Sequence, residues 1–390
     1  MTDALTIALA QLSQRMGDLS ANADAMLNAR KLATGADLVL FPELQLIGYP
    51  PEDLVLKPAL ADKADIELAR LAAATADGGP AMLVGTIRRH EGKLYNAMVL
   101  LDGGKIAGER FKRELPNYGT FDEKRLFASG PLPDPLLFRG VRIGIPICED
   151  VWWPEVCAHL KDKGAELLLT PNGSPYEIDK DDLRSSIVAA ARVRETGLPM
   201  AYLNRVGGQD ELVFDGASFV MNGDGTVAHQ LVDWEEDIRL THWVRSNAGW
   251  ACDSGEISRL EPFPSDAYHA MMIGLRDYVN TNRFPGVVLG LSGGIDSALC
   301  AAIAADALGP DRVWSVMLPS RFTGQESLAD ACECARMIGC RLATIPIAPA
   351  VAAFDTMLAG SFADKDVDIT EENIQSRIRG VTLMALSNKF

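Results

Sequence analysis

Apolar and polar positions alternate along the chain in two rhythms. Leu5–Ala10 is a short apolar run, Ala21–Thr34 repeats its apolar positions at helical spacing and closes at Gly35, and Asp37–Phe41 is apolar again. The opening therefore predicts strand, helix and buried strand. Ala81–Ile87 and Ala97–Leu101 predict further strands, the second ending in the turn Asp102-Gly103-Gly104, and Val141–Ile147 and Glu166–Leu169 continue the series. Helical spacing returns at Pro154–Lys163 and Lys180–Thr196. Ala217–Met221 and Thr226–Val232 flank Asn222-Gly223-Asp224-Gly225, a hairpin signal. Two stacked sheets with outer helices are the expectation for residues 1–242.

Over residues 243–264 the periodicity fades while polar residues, glycine and two prolines accumulate, which reads as an interdomain connection. A second α/β unit is expected over residues 265–390. Its order is helix Asp266–Asn282, strand Gly286–Gly290, a glycine-rich turn, helix Ser297–Leu308, strand Arg312–Met317 and helix Glu326–Ile338, the pattern of a doubly wound parallel sheet. The chain stops at Phe390, directly after an amphipathic helix, which reads as an interrupted domain. No internal repeat or low-complexity tract is found.

With 390 residues, 48% hydrophobic and 23% charged, the chain has room for two cores. A net charge of -16 argues against nucleic acid or an anionic membrane surface as partner. Seven cysteines without dense spacing read as reduced thiols, and neither a signal peptide nor a membrane span is recognised, so the cytoplasm is expected.

Cys148 closes the apolar run Val141–Ile147 and opens the turn Glu149-Asp150, where catalytic groups are often held. Alone it reads more readily as a small core residue. Glu43 follows Asp37–Phe41 through Pro42, and Lys112 lies in Phe111-Lys112-Arg113. Singly they read as a cap or surface charge and a solvated side chain. A thiol attacking an amide needs a base for its proton and a cation for the developing oxyanion, and a glutamate and a lysine can supply both.

Phe41-Pro42-Glu43-Leu44, Lys112 with Leu115-Pro116-Asn117-Tyr118-Gly119-Thr120-Phe121-Asp122-Glu123, and Ile147-Cys148-Glu149-Asp150-Val151-Trp152 resemble the three signature segments of the nitrilase superfamily. The resemblance implies an α-β-β-α sandwich with Glu43 as general base, Lys112 stabilising the tetrahedral intermediate, Cys148 forming a thioester, and the Glu149 N–H completing the oxyanion hole. Pro171–Tyr176 and Val206–Gly216 are similar to the glutamine-specific branch, which implies that Ser174 and Arg184 hold glutamine and that Tyr118 lines its pocket. Relatives carry His-x-Gly-Lys where this chain has Glu177-Ile178-Asp179-Lys180, which leaves the contacts near Lys180 and Arg184 open.

The string Leu289-Gly290-Leu291-Ser292-Gly293-Gly294-Ile295-Asp296-Ser297 sets glycines between strand and helix without the lysine of a Walker A loop. It resembles the pyrophosphate loop of the N-type ATP pyrophosphatases. That likeness implies phosphate contacts from Ser292, Gly293, Gly294 and Ser297, with Asp296 helping to bind Mg2+. Val316–Thr323, including Leu318, and Thr370–Gly380 with Met384–Lys389 are similar to NAD synthetases, implying that Leu318 contacts ATP and that Gln375, Arg377 and Arg379 bind the dinucleotide. Cys332, Cys334 and Cys340 lack the paired spacing of a metal site.

Together the segments resemble the glutamine-dependent NAD synthetase family over essentially the whole chain. The resemblance implies ammonia from glutamine, adenylation of nicotinic acid adenine dinucleotide by ATP, small-molecule substrates and a homo-oligomer. Asparagine synthetases use an N-terminal cysteine, whereas this chain begins Met1-Thr2-Asp3, and no histidine lies in a segment like the site of GMP synthetases. A stand-alone amidase or carbamoylase with a non-functional second domain is the alternative. Because nothing after Lys389 continues the ATP site, the expectation is glutamine hydrolysis with little NAD formation.

Overall fold

The computed structural model describes residues 3–178, 183–321 and 323–390. The expected helix start at Lys180, part of the Glu177–Lys180 departure, and Phe322 of the adenosine-contacting segment lie outside the described residues, as do Met1 and Thr2. The chain divides into two compact units, Met1–Ala270 and Met271–Phe390.

In the first unit a seven-stranded sheet runs Gly249–Cys252, Asp237–Ser246, Ala4–Gln11, Leu38–Leu40, Ala81–His90, Lys93–Asp102, Lys105–Phe111. A six-stranded sheet runs Val227–Gln230, Phe219–Met221, Met200–Leu203, Leu167–Pro171, Val141–Gly144, Leu136–Phe138. The period-2 alternation of side chains decides what each face buries. Leu5, Ile7 and Leu9 join Leu167, Leu169 and Leu203 in a core between the sheets. Ala8 and Ala10 point the other way, onto Ala23, Met26 and Ala29 of helix Leu19–Leu32. Leu168, Met200 and Phe219 pack on Val156 and Leu160 of helix Pro154–Asp162. The result is an α-β-β-α sandwich.

Two stretches differ from the expectation. Residues 243–252 are not a connection: Asp237–Ser246 pairs antiparallel with Ala4–Gln11, and Gly249–Cys252 pairs with it in turn. Here polar Thr241 is as buried as Trp243, and Arg239 and Arg245 take the flanking positions of the same face, so the alternation is blurred. The strand expected over Val141–Ile147 ends at Gly144, because Pro146 has no N–H to offer a ladder and the chain must leave the sheet before Cys148.

The second unit has parallel strands Val287–Gly290, Val313–Met317 and Arg341–Thr344 in that order. Helices cover both faces. Ala301 and Ala304 of Ile295–Leu308 and Ala331 and Ala335 of Gln325–Ile338 build one core, and Ile374, Ile378 and Leu383 of Ile369–Lys389 belong to the other. Among the described residues no helix is long and apolar enough to cross a membrane.

Candidate active sites

Glu43 is delivered by a backbone close approach. A Cβ on Gly85 would stand 2.2 Å from the Pro42 carbonyl oxygen and 2.4 Å from the Leu44 nitrogen, so only glycine lets the Pro42–Leu44 turn lie against strand Ala81–His90. Glu43 is fully buried. Its Oε1 accepts from Lys112 Nζ at 2.7 Å and Asn96 Nδ2 at 2.7 Å, and its Oε2 accepts from the Gly173 N–H at 3.0 Å. Lys112, also fully buried, leaves strand Lys105–Phe111 with its own N–H donating to the Asn96 carbonyl at 2.8 Å. Its ammonium reaches a second carboxylate as well, Glu123 Oε1 at 2.9 Å, and the Tyr49 hydroxyl donates to that same oxygen at 2.9 Å. Glu123 Oε2 has no hydrogen-bond partner among the described residues.

Cys148 stands at the head of the short 3-10 turn Cys148–Val151 with φ of +46°, a left-handed conformation that costs a non-glycine residue free energy. Asp150 holds that turn. Its Oδ2 accepts from the Ile147 N–H at 2.9 Å and its Oδ1 from the N–H groups of Glu114 and Arg113 at 2.7 and 3.1 Å. One carboxylate thus ties the cysteine turn to the chain following Lys112.

Charge in this cavity follows from burial and neighbours. Burial, then Glu43, push the Cys148 thiol well above its ordinary value, against Lys112 and the Gly173 N–H, so the resting group is a thiol. Burial works against the Lys112 ammonium, yet Glu123 and Glu43 outweigh it and hold the charge firmly. Glu123 is pushed up to about 7, by burial first and by Glu43, with Lys112 opposing. Asp150 rises to about 7 through burial, against its three backbone donors.

Tyr118, more than half exposed, donates through its hydroxyl to Glu149 Oε2 at 2.9 Å, and Trp153 Nε1 donates to Glu149 Oε1 at 3.3 Å. Ser174 is buried, with its N–H on Asn204 Oδ1 at 3.0 Å. Arg184 takes a different place from the one implied by resemblance. One terminal nitrogen donates to both Asp215 oxygens, at 2.8 and 2.6 Å, the other to the Ser174 and Pro175 carbonyls at 3.1 and 2.7 Å, and Nε donates to Ser174 Oγ at 3.2 Å. A buried guanidinium needs a counter-charge, Asp215 supplies it, and Arg184 becomes a clamp behind Ser174.

In the second unit the chain leaves strand Val287–Gly290 and turns through Ser292–Gly294 into helix Ile295–Leu308. Ser297 Oγ accepts from the Ser292 N–H at 3.1 Å and donates to the Gly294 carbonyl at 2.9 Å, while the Gly294 N–H donates to Ser292 Oγ at 3.2 Å. The loop is pre-shaped by its own hydroxyls. A cavity of about 370 Å³ lined by Gly290, Ser292, Leu318, Thr323 and Arg379 adjoins it. Another, of about 430 Å³, is lined by Ser320, Glu372, Gln375 and Arg379. Arg379, donating to the Leu318 carbonyl at 3.1 Å, borders both. Arg377 lines neither, because its side chain turns back to the Asn373 carbonyl and side-chain oxygens at 3.2 Å. Asp296 is exposed on the first helical turn.

The carbon-nitrogen hydrolase family matches residues 6–249 and the NAD synthase family residues 267–390. The chain is 50% identical over 392 residues to the glutamine-dependent NAD(+) synthetase of Rhodobacter capsulatus, a match spanning 100% of this chain and 71% of that protein. This chain belongs to the glutamine-dependent NAD(+) synthetase family. The structure of the family member from Acinetobacter baumannii, in complex with ADP, superposes with a TM-score of 0.93 at 38% identity, covering 99% of this chain and 73% of that one. A glutamate-to-glutamine mutant of a nitrilase-superfamily amidase from Nesterenkonia sp., 28% identical with a TM-score of 0.55, covers 61% of this chain and 89% of that one. Its structure shows an acetamide moiety covalently added at the active-site cysteine.

At the hydrolytic site, Glu123 and Asn96 are residues that sequence reasoning missed. Glu123 closes the segment Leu115–Glu123, and its only local signal is a carboxylate shortly before the apolar pair Leu126-Phe127. In the second unit, Gly293 has φ of +87° and a Cβ there would stand 2.2 Å from the Ser327 carbonyl oxygen. Gly293→Ala is therefore expected to spoil the loop and lower the ATP-dependent step by about 100-fold or more, leaving glutamine hydrolysis within about twofold of wild type. Parallel assays of glutamate release and NAD formation check this, and equal rates of NAD formation would refute it.

Proposed function

We propose that this chain hydrolyses glutamine at Cys148 and uses the ammonia in a synthetase reaction at the second unit. There ATP adenylates nicotinic acid adenine dinucleotide and ammonia displaces AMP to give NAD. The observation that carries the reading is the buried hydrogen-bonded set Glu43, Lys112 and Glu123, joined toward Cys148 by the Gly173 N–H, in a member of this family.

Glu43 takes the thiol proton as the sulfur attacks the carboxamide carbon. The oxyanion that forms lies against the Lys112 ammonium and the Glu149 N–H. Collapse breaks the C–N bond, Glu43 returns the proton to the leaving nitrogen, and ammonia departs from a thioester. Water, deprotonated by Glu43, then releases glutamate and restores the thiol. Tyr118 borders the substrate through Glu149, and Ser174 faces it on the loop that Arg184 clamps.

In the second unit Ser292, Gly293, Gly294 and Ser297 cradle phosphate oxygens, Leu318 borders the nucleotide, and Gln375 and Arg379 bind the dinucleotide. Among the described residues no group of three or more metal-ligating side chains occurs. A single carboxylate, Asp296, beside a phosphate loop fits Mg2+, which keeps its waters and takes substrate phosphates as ligands, and when bound it neutralises the departing pyrophosphate. Glutamate and NAD release with glutamine, ATP, Mg2+ and the dinucleotide acid, compared with ammonium as donor, tests the whole reading. Absence of glutamate release would overturn it.

The proton on Glu123 has its own signature. Its folded value, about 7, lies above the ordinary 4.5, so its contribution to stability is complete below about 4.5 and is lost as pH rises through about 7. Glu123→Gln is expected to remove an inflection near pH 7 from the rate of glutamine hydrolysis and to lessen the pH dependence of unfolding stability over that window, leaving the share that Asp150 contributes. Urea titrations and pH–rate profiles check both, and an unchanged inflection would assign it to another group.

A further inference from the structure

Arg205 precedes strand Val206–Gln209 and is 1% exposed. Its guanidinium carbon lies 5.6 Å from the Tyr49 ring centroid and 5.3 Å from that of Phe214. Among the described residues its guanidinium makes one hydrogen bond, a long one of 3.4 Å to Gln45 Oε1, and the Gln45 amide nitrogen is held in turn by the Ser13 carbonyl at 2.8 Å. Among the described residues Nε and one terminal nitrogen have no partner, and no carboxylate stands within ion-pair distance. An uncompensated buried cation is costly. Arg184, similarly buried, has Asp215; Arg205 has nothing of the kind.

The charged and titratable groups that face Arg205 are Glu43, Tyr49 and Cys148, all members of the hydrolytic cluster. That cluster is itself short of positive charge. Glu43 and Glu123 share one ammonium, Lys112, while Asp150 also faces Lys112 and Glu149 faces Cys148. Burial draws Arg205 down to about 9, which leaves it charged at neutral pH. Tyr49 links the two halves mechanically: its ring carries Arg205, and its hydroxyl is bonded to Glu123. A Cβ on Gly173 would stand 3.0 Å from the same ring and 3.1 Å from Glu43 Oε2.

We propose that Arg205 is a positioning residue of the hydrolytic site, a second buried cation on the side of Glu43 that, by stacking on Tyr49 and Phe214, fixes the Tyr49 hydroxyl on Glu123. The proposal rests on the reading of Cys148 as a glutaminase nucleophile. It carries a charge requirement as well as a packing one. Removing a cation beside carboxylates makes them hold their protons to higher pH, and Glu43 must be unprotonated to act as base.

The test compares pH profiles of kcat/KM for glutamine hydrolysis by the full chain, with thermal unfolding as a fold control, for Arg205→Met and Arg205→Lys. Methionine keeps an apolar side chain of similar reach without charge; lysine keeps the charge. The acid limb is expected to move up by about one pH unit in Arg205→Met and to stay near wild type in Arg205→Lys. A folded Arg205→Met whose acid limb does not move overturns the proposal, whatever its rate. Failure of Arg205→Met to fold overturns it too, by making the residue one of packing alone. Should the unmodified chain release no glutamate, it is the glutaminase reading that fails, before any variant is compared.

Discussion

Cys148→Ala is expected to abolish glutamate release from glutamine, a loss of about 10⁴-fold or more, since no other group in the cavity can form the thioester. The same variant should keep synthesis supported by added ammonium salts within about twofold, because the second unit's residues are untouched. Mass spectrometry of the unmodified chain mixed rapidly with glutamine should detect the glutamyl adduct on Cys148, and the variant should show none. Concurrent loss of the ammonium-supported reaction in a folded variant would sink the division of labour between two sites.

Lys112→Met should have the second largest effect, on stability and rate together. It leaves Glu43 and Glu123 buried side by side with no ammonium between them, and breaking such an arrangement costs about 3–5 kcal/mol. One carboxylate must then take up a proton, so the destabilisation grows as pH rises. The rate of glutamine hydrolysis should fall by about 10³-fold with the loss of the oxyanion's cation. Urea unfolding at pH 6 and pH 8 measures the first effect and steady-state assay the second. A variant as stable as wild type at pH 8 would show that the two glutamates never needed the lysine.

The parts of the site that could be read from the sequence were those announced by a local break in pattern. Glu43 and Cys148 each follow an apolar run, and Ser292–Ser297 interrupts strand and helix with glycines. What could not be read was written in contacts between distant segments. Lys112 meets Glu43 across 69 positions, and Gly173 meets it across 130. Glu123 looks like any charge at the start of a short helix until Tyr49 and Lys112 close over it. Arg184 shows the converse, since a motif position gives no hint that Asp215 will claim its guanidinium. In the fold, strand Lys105–Phe111 escaped notice because it begins on exposed Lys105 and carries half-buried Glu109 and Arg110, and its alternation is weak.

The proton that burial keeps on Cys148 has a consequence for chemical survival. Peroxide and alkylating agents attack thiolates, and sulfenic acid formation follows thiolate character and access. A nucleophile that stays protonated and almost covered until glutamine arrives is a poor target for them, whereas Cys300 and Cys332 stand exposed on the other unit. Oxidative insult should therefore mark those two surface sulfurs well before it silences ammonia release, and the cysteine that does the chemistry is among those hidden from accident.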